Sequence, residues 1–406
     1  MPNILTYPCA TGDAARNLSG TELADALRDS RRRTLAAVLD LSDSQWTPRR
    51  RQGINPIAWE LGHVAWFAEF WTLRGPHAPS AGGISNASGR QRIVGRDAIF
   101  DSARLSHADR WGAELPPRNE LLSLLDRQLD ATLRAIPEDD PSDEALYFHR
   151  LSLFHEDMHG EAFAWMRDAL GYPRPTGLAP VEQPANEALR FAEGDSVLGP
   201  STGRPGFLFD NEVRTETIRI RPFEIDASCV TAGQFSEFVA AGGYHRAEFW
   251  QPEGAAWQAA SALSHPSRWR RAGSEWEVRS FDGWEPLNPL RPVMHVNAFE
   301  AEAYCRWKGG RLPSAAEWEC AAANSPRSRF HWGSGVWEWT SDVFAPYAGF
   351  VPGPYKDYSL PWFGTCRELR GGAFATHPRL LNPHYRNFFE PQRADIFAGF
   401  RTARTL

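Results

Sequence analysis

Paired cysteines are missing from this chain of 406 residues: its five, Cys9, Cys229, Cys305, Cys320 and Cys366, are odd in number, scattered, and never in Cys-x-x-Cys spacing. That excludes a disulfide framework and a zinc knuckle and leaves reduced, mostly buried thiols. No apolar run reaches membrane-spanning length, so no membrane partner is expected. The opening Met1-Pro2-Asn3-Ile4-Leu5-Thr6-Tyr7-Pro8 lacks the basic and apolar regions of a secretory signal, and a cytoplasmic location is expected. Positive charge is not in excess either. With 44 Lys and Arg against 50 Asp and Glu, a net charge of -6 and a pI near 6.1, the chain offers nucleic acid no general attraction. No phosphate-cradling glycine motif and no internal repeat is present. What stands out instead is tryptophan, 17 residues, many after position 245, which predicts a loop-rich region held by aromatic packing. The length exceeds one ordinary core and predicts two or three domains.

Periodicity divides the chain. Thr21 to Leu41 carries Leu23, Ala26, Leu27, Leu35, Ala36, Val38 and Leu39 at helical spacing, with Ser19 or Thr21 as a cap. Asn55-Pro56 opens a second helix through Trp59, Leu61, His63, Trp66, Phe67 and Phe70. Asn119 to Ile136 predicts a third and Pro141 to Leu170 a fourth, while Gly75 to Leu115, rich in Gly, Ser and Pro, reads as a long loop. Four amphipathic helices with one long crossover make a bundle, a common frame for metal sites. After Gly171-Tyr172-Pro173 the pattern becomes short strands, 216–220 and 223–226, with short helices at Thr231 to Ala241 and Ala298 to Lys308. The class is α+β.

Histidine is scarce, at 12 residues, yet three stand in a pattern. In Phe154-His155-Glu156-Asp157-Met158-His159 the two imidazoles are four apart, so on a helix they leave one face about one turn apart and converge on one ion. His63, in Trp59-Glu60-Leu61-Gly62-His63, would complete a three-nitrogen site from a neighbouring helix. Such a site, with no thiolate and open positions, suits ferrous iron or zinc, and ligand type does not separate them. The spacing also arises by chance on many helices. Glu156 directly after the first histidine is the zinc-protease arrangement, so a hydrolase competes. The following Ala162-Phe163-Ala164-Trp165-Met166 supplies no further protease ligand.

Several phrases then resemble one family. Phe209-Asp210-Asn211-Glu212, Val230-Thr231-Ala232-Gly233-Gln234-Phe235, Gly310-Arg311-Leu312-Pro313-Ser314, Val336-Trp337-Glu338-Trp339-Thr340, Leu369-Arg370-Gly371-Gly372 and Ala398-Gly399-Phe400-Arg401 look like the formylglycine-generating-enzyme domain, a C-type-lectin-like fold. Joined to a DinB-like four-helix bundle, the architecture resembles the ergothioneine-type sulfoxide synthases, with domains at 1–175 and 176–406. The resemblance implies non-haem Fe(II) held by His63, His155 and His159, O2 as co-substrate, and hercynine, the trimethylated betaine of histidine, as substrate. Glu156 then becomes a helix-surface residue or one standing behind the ligands.

By motif match Tyr355 is the phenol that donates a proton and Tyr358 a substrate contact, while Asn387 and Phe388 belong to the segment that binds hercynine. Two positions depart from the branch that uses γ-glutamylcysteine. Phe389 stands where that branch has an aspartate, and Arg104 keeps one arginine of a clamp whose second member is here His107. Met158 replaces a glutamine between the metal ligands. A less charged donor is therefore expected, and the resemblance points to the selenoneine synthase branch: a selenosugar donor and a hercynyl selenoxide product, with Phe389 and Trp111 offering an aromatic face. Carbon–sulfur bond formation with cysteine or γ-glutamylcysteine is the alternative. A ligand-binding module without catalysis, and formylglycine generation itself, are the other classes; the latter needs reactive cysteines near the C-terminal groove, where this chain has Cys366 alone.

Overall fold

The computed structural model describes residues 11–51, 53–74, 93–138, 141–197, 199–200, 203–213 and 217–406. Cys9 and the part of the predicted loop at 75–92 lie outside them. The chain forms two compact units: the first takes in 1–164 with 205–207 and 377–380, the second 165–204, 208–376 and 381–406.

The first unit is the helical bundle. Helices run over Gly20–Ala36, Ile57–Ala68, Arg118–Arg134 and Asp143–Leu170, the last continuing past the limit of this unit. Leu23, Ala26 and Leu27 pack with Leu146 and Leu153, and Leu129 and Leu133 close over them, the stripes their helical spacing requires. The second helix differs. Pro56, at φ -59°, stands at its entrance, every residue of Ile57–Ala68 is buried, and the chain continues as a π-helix over Glu69–Arg74. Two charges buried in that apolar setting neutralise each other: Glu69 and Arg74 pair at 3.2 Å, both essentially without solvent contact.

The second unit is built from strands of two to seven residues. A three-stranded antiparallel sheet orders β1 (Ala188–Phe191), β4 (Phe223–Asp226) and the final strand β12 (Ala403–Thr405), with β2 (Gly194–Val197) and β3 (Thr217–Ile220) as a separate pair. A meander follows at β5 (Trp269–Ala272), β6 (Glu275–Ser280) and β7 (Gly283–Pro286). The four-stranded sheet orders β10 (Asn387–Phe389), β9 (Arg367–Arg370), β8 (Trp337–Val343) and β11 (Ala398–Gly399). Reciprocal capping boxes start three helices, Thr231 with Gln234, Asn297 with Glu300 and Ser314 with Glu317. Sequence reasoning missed the helices Pro252–Ser261 and Ala315–Asn324, although Pro252 at a helix start and the Ser-x-x-Glu box were visible signals. Among the described residues no helix is long and apolar enough to cross a membrane.

The motifs that carry the resemblance tie this unit together. Arg401 places its guanidinium on Glu338, with Nη2 2.7 Å from Oε1, and Trp318 donates its indole N–H to the same carboxylate at 2.7 Å. Gly399 runs parallel to β8, and a Cβ there would stand 2.2 Å from the Val293 carbonyl oxygen, so only glycine fits.

Candidate metal centre

The bundle brings His63, His155 and His159 together. One ring nitrogen from each lies within 4.8 Å of the others, and the Nε2 atoms of His155 and His159 are 3.1 Å apart. His63 and His155 are buried and His159 is half-buried.

The opposite edges of two rings fix their tautomers. His63 donates from Nδ1 to the Phe100 carbonyl at 2.8 Å; a carbonyl only accepts, so the proton sits on Nδ1 and Nε2 keeps its lone pair. His159 donates from Nδ1 to Glu60 Oε1 at 2.7 Å, so its Nδ1 carries a proton and its Nε2 is the nitrogen turned toward His155. Burial would raise the Glu60 carboxyl, but His159, aided by His63 and Asn55, holds it down to about 2, so the acceptor stays ionised. Burial, reinforced by the neighbouring His159, lowers His63 to about 3, and burial with the two other rings keeps His155 well below its ordinary value. Three imidazoles whose nitrogens converge, with no thiolate or carboxylate among them, are a donor set that fits a divalent iron or zinc ion.

Aromatic rings hold the donors in place. Trp59 stacks on His63 at 5.0 Å and 8°, and Phe67 on His155 at 3.5 Å and 4°. The segment at 93–111, expected as part of a loop excursion, is instead fastened to the His63 helix. Trp66 donates to Asp97 at 2.7 Å, Trp59 to the Ile99 carbonyl at 2.7 Å, and Arg110 lies over the Trp59 ring at 4.1 Å. Gly62 permits the approach: a Cβ there would be 2.1 Å from the Phe100 ring.

The two acids between the paired histidines are buried and spoken for. Glu156 receives Arg31 Nε at 2.7 Å and Nη2 at 3.2 Å, so of its two expected places the helix surface is excluded, and so is the general-base role of a protease. Asp157 is held by Arg379 Nε at 2.7 Å and Nη2 at 2.8 Å and by the Ser30 hydroxyl at 2.8 Å. Asp157 was not recognised in the sequence as part of this framework.

The remaining candidates are more dispersed. Arg104 is exposed and turned onto Asp101 at 3.0 Å, and His107 is exposed; Met158 is half-buried. In the second unit Tyr355 and Tyr358 lie 5.9 Å apart, Tyr358 stacks on Phe209 at 4.5 Å, and its hydroxyl meets that of Tyr385 at 3.2 Å. Burial, with Tyr385 alongside, raises the Tyr358 phenol well above its ordinary value. Strand alternation divides the β10 residues. Phe388 stacks on Phe344 at 4.2 Å and meets Tyr358 edge-on at 5.6 Å, whereas Phe389 faces Arg393, whose guanidinium lies 5.4 Å from its ring and 5.5 Å from that of Trp165. Asn387 turns its side-chain oxygen to the Phe388 N–H at 2.9 Å.

Compared with known proteins, residues 26–163 match the DinB superfamily, and 174–336 together with 333–406 match the sulfatase-modifying factor enzyme 1-like domain. Hercynine oxygenase of Mycolicibacterium smegmatis is 31% identical over an alignment covering 94% of this chain and 98% of the relative. That of Mycobacterium tuberculosis is 31% identical over 95% and 99%. A formylglycine-generating enzyme of Streptomyces coelicolor is 28% identical over 58% of this chain and 96% of its own.

These likenesses overturn the expected selenoneine branch and its selenosugar donor, because the relatives that align along nearly the entire chain are hercynine oxygenases. The structure shows why the three substitutions misled. His107 is at the surface, Met158 is half-buried, and Phe389 has a guanidinium 5.4 Å from its ring, so none of the three by itself reports the charge of a donor. Formylglycine generation fares no better: the four described cysteines are all buried, and burial raises each thiol. With likeness running through both units in the same order, and three imidazoles converging in the first, the chain belongs to the hercynine oxygenase family and is an iron-dependent oxidoreductase.

Proposed function

We propose that this enzyme uses O2 to join the sulfur of cysteine or γ-glutamylcysteine to the imidazole of hercynine, giving a sulfoxide, with Fe(II) as its resident metal. The convergence of three neutral imidazoles supports this reading most directly, and the relatives supply the substrate. When bound, Fe(II) supplies the open positions and the oxidising chemistry that organic side chains lack.

The chain's own residues do the rest. His63, His155 and His159 hold the ion, while Phe100 and Glu60 keep the Nδ1 protons in place so that the Nε2 lone pairs face it. On the motif match, Tyr355 donates a proton or a hydrogen bond to the oxygen being reduced and Tyr358 contacts substrate; the C–H and S–H hydrogens leave in the water formed. A phenol raised by burial retains its proton until a strong base draws on it, which is the state Tyr358 is in. Phe388 offers the trimethylammonium of hercynine an aromatic face and Asn387 an amide. Arg104, His107, Met158 and Phe389 are the positions at which the thiol donor is discriminated. Residues 1–175 form the metal-binding domain and 176–406 the domain that supplies the tyrosines. Four described cysteines, buried and unpaired, fit a reducing compartment, and we place the enzyme in the cytoplasm.

The test is anaerobic loading with Fe(II), then hercynine, O2 and either thiol, read by oxygen uptake and product mass. A sulfoxide is expected with at least one thiol, and His155→Ala or His159→Ala should lose both iron and turnover. Full turnover in both variants refutes the metal assignment; binding of hercynine without oxygen uptake refutes the enzyme.

A further inference from the structure

The Glu60 carboxylate touches a ring of the triad, and it does not stand alone. Its Oε1 accepts from His159 and its Oε2 accepts from the Asn55 side-chain amide at 2.7 Å. Asn55 in turn accepts, on Oδ1, an N–H from Arg110 Nη1 at 3.1 Å. Arg110 is itself fixed from three sides: Nε reaches the Leu105 carbonyl at 3.4 Å, Nη2 the Ser102 carbonyl at 3.4 Å, and its plane covers Trp59, which stacks on His63. One guanidinium thus reaches two of the three imidazoles, His159 through Asn55 and Glu60, and His63 through Trp59.

We propose that Glu60, Asn55 and Arg110 form a brace that sets how tightly His63 and His159 grip their ion, and that Arg110 links this grip to the segment bearing Arg104 and His107. The proposal rests on the triad being a metal site. The physical argument has two parts. A carboxylate behind an imidazole fixes its tautomer and ring angle and makes the free nitrogen a better donor, and Asn55 fixes which oxygen of Glu60 faces the ring. Three neutral ligands leave a divalent ion's charge uncompensated in a buried setting, and Glu60, in contact with one of them, is an anion able to offset it. Arg110 would then have a second effect: by holding Asn55 it holds the carboxylate that faces His159. All three are positioning residues, acting through His159 and His63.

The experiment titrates the full-length protein with Co(II), followed by the ligand-field spectrum, with Fe(II) retention on a desalting column in parallel. Wild type is expected to bind one ion. Glu60→Ala should weaken Co(II) by about 10–100-fold and shift the spectrum, because the His159 ring is free to turn. Glu60→Gln keeps an acceptor for Nδ1 and should recover the spectrum while leaving affinity below wild type. Asn55→Ala and Arg110→Gln should each weaken the ion by up to about 10-fold. A structural role alone would lower thermal stability without moving the spectrum or the affinity of the folded fraction. If Glu60→Ala does not fold, Glu60→Gln and Asn55→Ala decide. Wild-type affinity in Glu60→Gln, Asn55→Ala and Arg110→Gln overturns the brace. A wild type that binds no ion sinks the metal reading itself, a separate and distinguishable failure.

Discussion

Removing the Arg379 guanidinium is the most demanding test of the bundle's framework. Arg379 and Asp157 expose 3% and 2% of their side chains, and Asp157 lies on the turn between His155 and His159. Burial would raise the Asp157 carboxyl, yet Arg379, His377 and Ser30 together keep it below its ordinary value, so it is ionised and dependent on its partner. Breaking a buried pair by deleting one member costs about 3–5 kcal/mol, since the survivor is left charged and poorly solvated. Ser30 still donates to Asp157 at 2.8 Å, which places Arg379→Met near the lower end, about 3 kcal/mol. Arg379→Met with Asp157→Asn removes the stranded charge and should recover about 2 kcal/mol of that loss, a coupling that a double-mutant cycle isolates. The assay is urea unfolding of the metal-free protein followed by circular dichroism, with the slope checked for constancy between variants. A loss below about 1 kcal/mol, or a double variant no more stable than the single, refutes the view that this pair is desolvated and mutually dependent.

Gly62→Ala puts a Cβ within 2.1 Å of the Phe100 ring, so the ring and the carbonyl that accepts from His63 must shift; a loss of about 1–3 kcal/mol in stability with weaker Co(II) binding is expected, and unchanged affinity contradicts it. Glu300, buried in the capping box of Ala298–Trp307, is raised by burial to about 7, with Tyr244 and the Asn297 N–H opposing. The folded state therefore keeps a proton that the unfolded chain releases above its value of 4.5, and stability falls as pH rises from about 4.5 to 7, by about 3 kcal/mol in total. Glu300→Gln should flatten that slope, and denaturation midpoints whose difference from wild type is the same at pH 5 and pH 8 would show that Glu300 does not titrate there.

The bundle was legible because its helices are long and their apolar stripes regular: Leu23, Leu27 and Leu146 do in the structure what their spacing demands. The histidines were legible for the same reason, since four residues along a helix is a geometric statement. Glu60 was not singled out, although a carboxylate among the apolar residues of Ile57–Ala68, a helix buried throughout, requires a partner and could have been read as a signal. The fastening of 93–111 was invisible because its acceptors are the Ile99 and Phe100 carbonyls, groups that every residue possesses. In the second unit, strands as short as Ala398–Gly399 and Asn387–Phe389 are too brief to show alternation, so their pairing is fixed by neighbours rather than by pattern.

The donor reading failed for an instructive physical reason. The phrases that identify the second unit are structural: Glu338, Arg401 and Trp318 satisfy one another in its interior, and Gly399 exists to let two backbones meet. Residues of that kind report the fold and are silent about the ligand. Donor choice was instead inferred from His107 and Phe389 one position at a time. Loss of a carboxylate at 389 removes an anion, yet Arg393 lies over the Phe389 ring and pairs with Asp395, so charge is still present around that position. Charge at a site is a sum over everything that reaches it, so a substitution at one position predicts ligand charge only after its spatial neighbours are counted. By that count Arg393, paired with Asp395 at 2.9 Å and lying over the rings of Phe389 and Trp165, belongs beside Phe389 in any sum of the charge around that strand.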